Sequence, residues 1–258
     1  MSTGTAAGHY AAGHGSFTLF ESPRTPTWRS PQAGALGSLL SYWSLGHRQP
    51  AVVAVPTGAG KTAIALASPY LLQARRVLVV VPSRDLRQQL SEEFRSERVL
   101  LEVGALTSAL RPNVVELTGR VADWDEVVSA DVVVALPNSI SPLHYPSNPT
   151  PNDLFDLIVI DEAHHTPAPT WNAILDHFRE ARSVLLTATP QRRDGKRVPG
   201  TIVYHFPLRK ALDEGFYKPI RPEVLDSPMG SPKEHLEALI VSRVVQLAED
   251  PSHATSAI

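Results

Sequence analysis

Three short segments of the chain hold residues of the types and spacing needed to grip phosphate and activate water: "VPTGAGKT" (55–62), "LIVIDEAHH" (157–165) and "LLTATP" (185–190). In the first, Gly58 and Gly60 let the backbone curl tightly with its N–H groups pointing inward, a nest for an anion. Lys61 has the reach and charge to meet terminal phosphates, and the Thr62 hydroxyl suits a hard cation such as Mg²⁺. Thr57 and Ala59 complete the loop through their backbone. A helix starting at Lys61 would add the partial positive charge of its N-terminus. The general loop pattern G-x-x-x-x-G-K-[ST] asks for glycine where this chain has Val55, so the subtype of the loop is an open question at this point.

In the second segment an apolar run ends in two acids. Asp161 is placed to hold Mg²⁺ through its water shell, and Glu162 to polarise an attacking water; with Lys61 they form the candidate catalytic set. His164 and His165 follow, but no partner stands at a metal-ligand spacing such as H-E-x-x-H, so a histidine metal site is not expected.

These residues need a frame. The runs "AVVAV" (51–55), "VLVVV" (77–81), "VVVA" (132–135), "LIVI" (157–160) and "VLLTA" (184–188) are short, mostly β-branched and apolar without alternation. That is the pattern of strands covered on both faces of a parallel sheet. Helices are expected from Lys61 to about Gln73, over 83–94 with Ser83 as N-cap, and over 170–178 with Thr170 as cap. "TIVYHF" (201–206) reads as a further strand, "LRKALDEG" (208–215) as a short helix stopped by Gly215, and 233–250 as a longer helix. The strand–helix alternation predicts an α/β fold, a mostly parallel central sheet with helices on both faces.

Composition narrows the class. No stretch reaches about eighteen apolar residues, which excludes a predicted transmembrane helix, and the first sixteen residues lack the basic start and apolar run of a secretory signal. The chain has no cysteine, which excludes disulfides, thiolate zinc sites and cysteine nucleophiles and fits a cytoplasmic location. The net charge is −2, so any nucleic-acid surface is a local patch rather than a global basic field. Residues 1–16, rich in Gly, Ala and Ser, read as part of a mobile leader extending to residue 24.

"PTGAGKT", "DEAHH" and "TATP", in this order and at these strand ends, resemble the superfamily 2 helicases and translocases of the DEAD/DEAH group. The loop of that superfamily is commonly written P-T-G-x-G-K-T, so Val55 is ordinary there. The resemblance covers about residues 25–225 and implies one RecA-like P-loop NTPase domain that uses ATP and Mg²⁺. It further implies that Gln32, in the R-x-x-Q element "WRSPQAGAL" (28–36), reads adenine. Ser83, Arg84 and Gln88, in a segment like motif Ia, would touch a nucleic-acid backbone, as would Asn138 and Ser139 near the T-P-x-x-L element, where Leu136 departs from the usual Thr. Helix capping is the competing role for Asn138 and Ser139. Thr187 and Thr189, in "LLTATP", and His164 would couple the nucleotide site to movement. "TATP" followed by "QRRDGK" (191–196) is typical of the branch resembling XPB-type and type I or III restriction-subunit translocases, which favours DNA over RNA.

The superfamily works with two RecA-like domains, the second supplying an arginine finger. After residue 225 no second sheet pattern and no Q-x-x-G-R-x-x-R element follows, and 226–258 reads as a connector towards such a domain, in a longer chain or a partner subunit. The expected function is the ATP-binding motor half of a helicase or translocase. The competing reading is a non-catalytic ATP-binding or scaffolding module; a P-loop kinase would leave "DEAHH" and "TATP" unexplained.

Overall fold

Runs that are apolar at every position fold as strands only where both faces are covered, and the two faces here are covered by different side chains. In the computed structural model, Val53, Val79, Val134, Val159 and Leu186 face one hydrophobic cluster, and their neighbours Val52, Val80, Val133, Ile160 and Leu185 face another. The structure describes residues 8–20, 27–119, 121, 124–144, 150–163, 168–190 and 198–217. Among these, the strands are β1 (Ala51–Ala54), β2 (Val77–Val80), β3 (Val114–Leu117), β4 (Val132–Ala135), β5 (Leu157–Ile160), β6 (Arg182–Thr187) and β7 (Thr201–His205). They form one sheet in the order β3-β4-β2-β5-β6-β1-β7, and every pairing is parallel.

The helices are α1 (His9–Ala12), α2 (Ser30–Ser44), α3 (Lys61–Leu72), α4 (Arg84–Ser96), α5 (Arg98–Glu102), α6 (Pro137–Ile140), α7 (Ala168–His177) and α8 (Leu208–Asp213). Leu36 and Leu39 of α2, Ile64 and Leu66 of α3 and Phe94 of α4 fill the first cluster; Trp171 and Ile174 of α7, with Phe178, fill the second. Each such burial contributes about 1.5–3 kcal/mol, which offsets much of the entropy of ordering the elements. Ser83 caps α4 as expected, its hydroxyl accepting from the Leu86 amide at 3.3 Å. Thr170 does not cap α7: the helix already runs from Ala168, so Thr170 lies within its first turn. Gly215 ends α8 with φ +76°, its amide donating to Leu212 and the Phe216 amide to Ala211, a Schellman turn that relieves the last carbonyls. The helix expected over 233–250 lies outside the described residues.

Residues 8–20, within the segment expected as a leader, pack onto α3 and the loop after α5. Tyr10 is buried and meets the Tyr70 ring edge-on at 4.8 Å, while Phe17 stacks on the other side of Tyr70 at 4.9 Å. Three aromatic side chains outweigh the Gly and Ala around them, and the Thr18 amide closes on the Ala105 carbonyl at 2.8 Å. Beneath them lies Glu97, buried and in the left-handed region (φ +50°) between α4 and α5. It accepts the Tyr70 hydroxyl and the amides of Leu110 (2.6 Å) and Arg111 (3.1 Å), with the His9 ring 4.0 Å away. Burial alone would raise the Glu97 carboxyl, but His9, Tyr70 and the two amides more than offset it and hold it below the usual glutamate range. A depressed carboxyl stabilises the fold above its unfolded value and loses that contribution as pH falls through the folded one. Glu97→Gln is therefore expected to cost about 1.5–3 kcal/mol at pH 7. Thermal melts should show the gap between variant and wild type closing below pH 4; a gap that stays constant with pH would refute the charged role.

Candidate nucleotide site

A wholly parallel sheet sends the carboxyl ends of β1, β2, β4, β5 and β6 to one edge, where α/β folds place their functional residues. The loops that leave those ends are the segments singled out from sequence. Each is first pinned to its neighbour. The Val55 amide donates to Thr187 at 2.9 Å, the Asp161 amide to Val80 at 2.9 Å and the Ala163 amide to Leu186 at 3.2 Å.

Val55 is wholly buried in the cluster that holds Val53 and Ala59 and does not have a positive φ. It extends the strand, so this position has no need of glycine. The bends come later, at Gly58 (φ +79°) and Gly60 (φ +94°), both in the left-handed region. Gly60 is doubly constrained, because a Cβ there would lie 2.1 Å from Gln32 Nε2. Directly after it α3 begins at Lys61 with no side chain capping its end, which leaves the first-turn amides to a ligand. Thr57 and Gly58 are exposed, Ala59 is buried, and Gly60 and Thr62 are half-buried.

Lys61 Nζ donates to Glu162 Oε1, which joins the end of β1 to the end of β5 across β6. Both side chains are largely withdrawn from water, at 9% and 17% exposure. Asp161 Oδ1 accepts from the Glu162 amide at 2.9 Å. Burial pushes the Asp161 carboxyl above the usual aspartate range; Lys61 works against that shift and Glu162 adds to it. The Lys61 ammonium thus bonds one carboxylate and acts on the other through its charge. Glu162 itself has φ +50°, a conformation that costs a non-glycine residue about 1–2 kcal/mol. Strained residues of this kind gather at working sites.

Between the two acids' strand and the loop's strand, Thr187 is buried at the end of β6. Its Oγ1 donates to the Thr189 carbonyl at 2.7 Å and accepts the Thr189 amide at 3.2 Å, closing a tight turn that leaves the Thr189 side chain exposed. Gln32 comes from the start of α2. It is buried, accepts the Arg29 amide at 2.9 Å as N3 glutamines do at a helix start, and directs Nε2 towards the Gly60 carbonyl at 3.5 Å. Beside it lies a cavity of ≈ 240 Å³ lined by Thr27, Arg29, Gln32, Gly60, Thr62 and Glu102, among others. A larger hollow of ≈ 940 Å³ between α2 and β7 is lined by none of the candidate site residues, so chemistry rather than size marks the smaller one.

Of the residues expected to meet nucleic acid, Arg84, Gln88 and Asn138 are exposed at the same edge, Ser83 is engaged in its cap, and Ser139 is buried. Leu136, not Asn138 or Ser139, is the N-cap of α6, and its side chain makes no cap bond, so the capping alternative for those two fails. His164 and the basic run 191–196 lie outside the described residues. Sequence reasoning passed over Arg29, whose Nη1 donates to the Gly58 carbonyl at 3.2 Å; it is the arginine of the R-x-x-Q element, so the signal was present.

No group of three or more His, Cys, Asp or Glu among the described residues could hold a metal by itself. Thr62 and Asp161 offer oxygens of the kind Mg²⁺ takes, one or two from protein with the rest of the shell from water and substrate phosphate. Among the described residues no helix is long and apolar enough to cross a membrane.

A family model described as the type III restriction enzyme, res subunit, matches residues 25–192. The DNA 3'-5' translocase XPB2 of Sulfurisphaera tokodaii is 27% identical over 168 residues, covering 63% of this chain and 32% of its own. The type I restriction enzyme EcoAI endonuclease subunit of Escherichia coli is 39% identical over 75 residues, covering 27% of this chain and 9% of its own. The chain thus spans a third or less of these curated relatives. The UvsW helicase from bacteriophage T4 superposes with a TM-score of 0.51 at 18% identity, over 76% of this chain and 66% of that one, which supports the fold alone.

Proposed function

The chain belongs to the family of type III restriction enzyme res subunits, within the superfamily 2 helicases and translocases, and we propose that it is the ATP-binding motor half of an ATP-dependent DNA helicase or translocase. The observation that carries this reading is the meeting of Lys61 with Glu162, beside half-buried Asp161, at the mouth of a loop bent by Gly58 and Gly60. In this proposal the loop amides and Lys61 bind the phosphates, and Gln32 with its cavity takes the base. Thr62 and Asp161 hold Mg²⁺, which supplies charge neutralisation of the phosphates when bound. Glu162 orients and deprotonates water. Arg84, Gln88 and Asn138, with Ser83 and Ser139 behind them, track the nucleic-acid backbone, so binding weakens steeply with salt and reads little sequence. Thr187 and Thr189, with His164, relay the state of the site to that surface. DNA is favoured by the branch to which the motifs belong. A cytoplasmic location belongs to the same proposal.

The second half-site, with its arginine finger, is proposed to come from another RecA-like domain, in a longer chain or a partner subunit. Such a finger is worth about 10³–10⁵ in rate in related phosphoryl transfers. This chain alone is accordingly expected to bind Mg·ATP and to hydrolyse it poorly, even with duplex DNA, single-stranded DNA or RNA present. Binding by calorimetry and phosphate release by a coupled assay check this. Absence of Mg·ATP binding would overturn the site, and brisk DNA-stimulated turnover would overturn the need for a second half.

A further inference from the structure

The phosphate loop is held from outside as well as bent from within. Three of its carbonyls are each taken by a donor that lies outside the loop. Arg29 Nη1 meets the Gly58 carbonyl at 3.2 Å and Gln32 Nε2 faces that of Gly60 at 3.5 Å. The third donor is the hydroxyl of Tyr217, which donates to the Thr57 carbonyl. A carbonyl turned outward turns the next amide inward, so these contacts favour the anion-binding form of the nest.

Tyr217 is brought to the loop by a short path. The Schellman turn at Gly215 ends α8 and redirects the chain. Phe216 then packs against buried Phe206 at 6.0 Å and lies under the Arg29 guanidinium at 5.8 Å. Glu214, just before the turn, accepts the Ser30 hydroxyl at the start of α2. Residues 214–217 are thus tied both to the element that carries Arg29 and Gln32 and to the loop itself, and Tyr217 is the last residue of the first compact unit.

We propose that Tyr217 is a positioning residue for the phosphate loop, and that through it nucleotide in the loop and order in residues 214–217 favour one another. The proposal rests on the nucleotide reading given above for its ligand, Mg·ATP. Coupling of this kind is reciprocal: what the strap gives to nucleotide affinity, nucleotide returns to the strap.

The test is Tyr217→Phe in the full chain, which keeps the ring and removes only an exposed hydroxyl. Mg·ATP affinity is expected to fall about two- to ten-fold, as for one hydrogen bond. Amide hydrogen exchange over 56–62 should quicken in the nucleotide-free variant while the core strand 157–160 exchanges as in wild type. In wild type, Mg·ATP should slow exchange over 214–217, and in the variant it should not. Wild-type affinity together with wild-type exchange over 56–62 overturns the proposal. Faster loop exchange in a protein whose wild type binds no Mg·ATP keeps Tyr217 as the loop's positioning residue and overturns the nucleotide reading instead.

Discussion

Lys61→Ala is expected to weaken Mg·ATP binding by about 10- to 100-fold, the cost of losing charge-assisted contacts to phosphate. With the second RecA-like half present, it should also bring DNA-stimulated turnover to background. Lys61 touches Glu162, and its charge counters the rise in the Asp161 carboxyl. Without it that counter-charge is lost, Asp161 moves further from its ionised form, and the proposed Mg²⁺ oxygen donor is weakened along with the phosphate donor. Titration with a fluorescent nucleotide measures the first effect and phosphate release the second. Turnover that survives the substitution would move the active site elsewhere.

Glu162→Gln should separate binding from chemistry. Glutamine keeps the size and an acceptor for Lys61, but it cannot take a proton from water. A positioned general base contributes about 10²–10⁴ in rate, and that is the expected loss in kcat. Affinity should hold or tighten. In the nucleotide-free chain Glu162 occupies the ammonium that a phosphate would use, and a neutral amide is a weaker competitor. The variant is thus predicted to trap Mg·ATP. If binding and turnover fell together, Glu162 would be support for the loop and not the group that handles water.

Much of this was readable in the chain because the signals were local. Apolar runs without alternation specify strands covered on both faces, and five of them matched β1, β2, β4, β5 and β6 to within a few residues. "GAGKT" and "DEAHH" sit at strand ends because a tight turn and ionisable acids cannot continue a buried strand. α2 went unassigned as an element: Gly34 and Gly37 dilute its helical signal, although Ala35, Leu36, Leu39 and Trp43 line its buried face. α1 was hidden for a related reason, since Tyr10 and Phe17 matter only once Tyr70 is beside them. Glu97 looks like one more surface acid in "FRSERV" until the amides of Leu110 and Arg111 close on it. The Tyr217–Thr57 contact spans the domain, and no spacing rule anticipates a bond between residues so far apart.

The order of strands in the sheet also sets an order in time. β1, which launches the phosphate loop, pairs with β6 and β7 and with no strand made before them. Ala51 must wait for Val184, so at about 5–20 residues per second the ribosome adds roughly 130 residues, on the order of ten seconds, before that strand finds its first partner. During that interval "AVVAV" is a bare apolar segment with an unpaired ladder on both sides, the kind of stretch that chaperones cover and aggregates recruit. The β2-β4-β3 half, with partners nearer in sequence, has everything it needs earlier. The nascent chain therefore completes the β2-β4-β3 flank first and the strand that carries the 55–62 loop late.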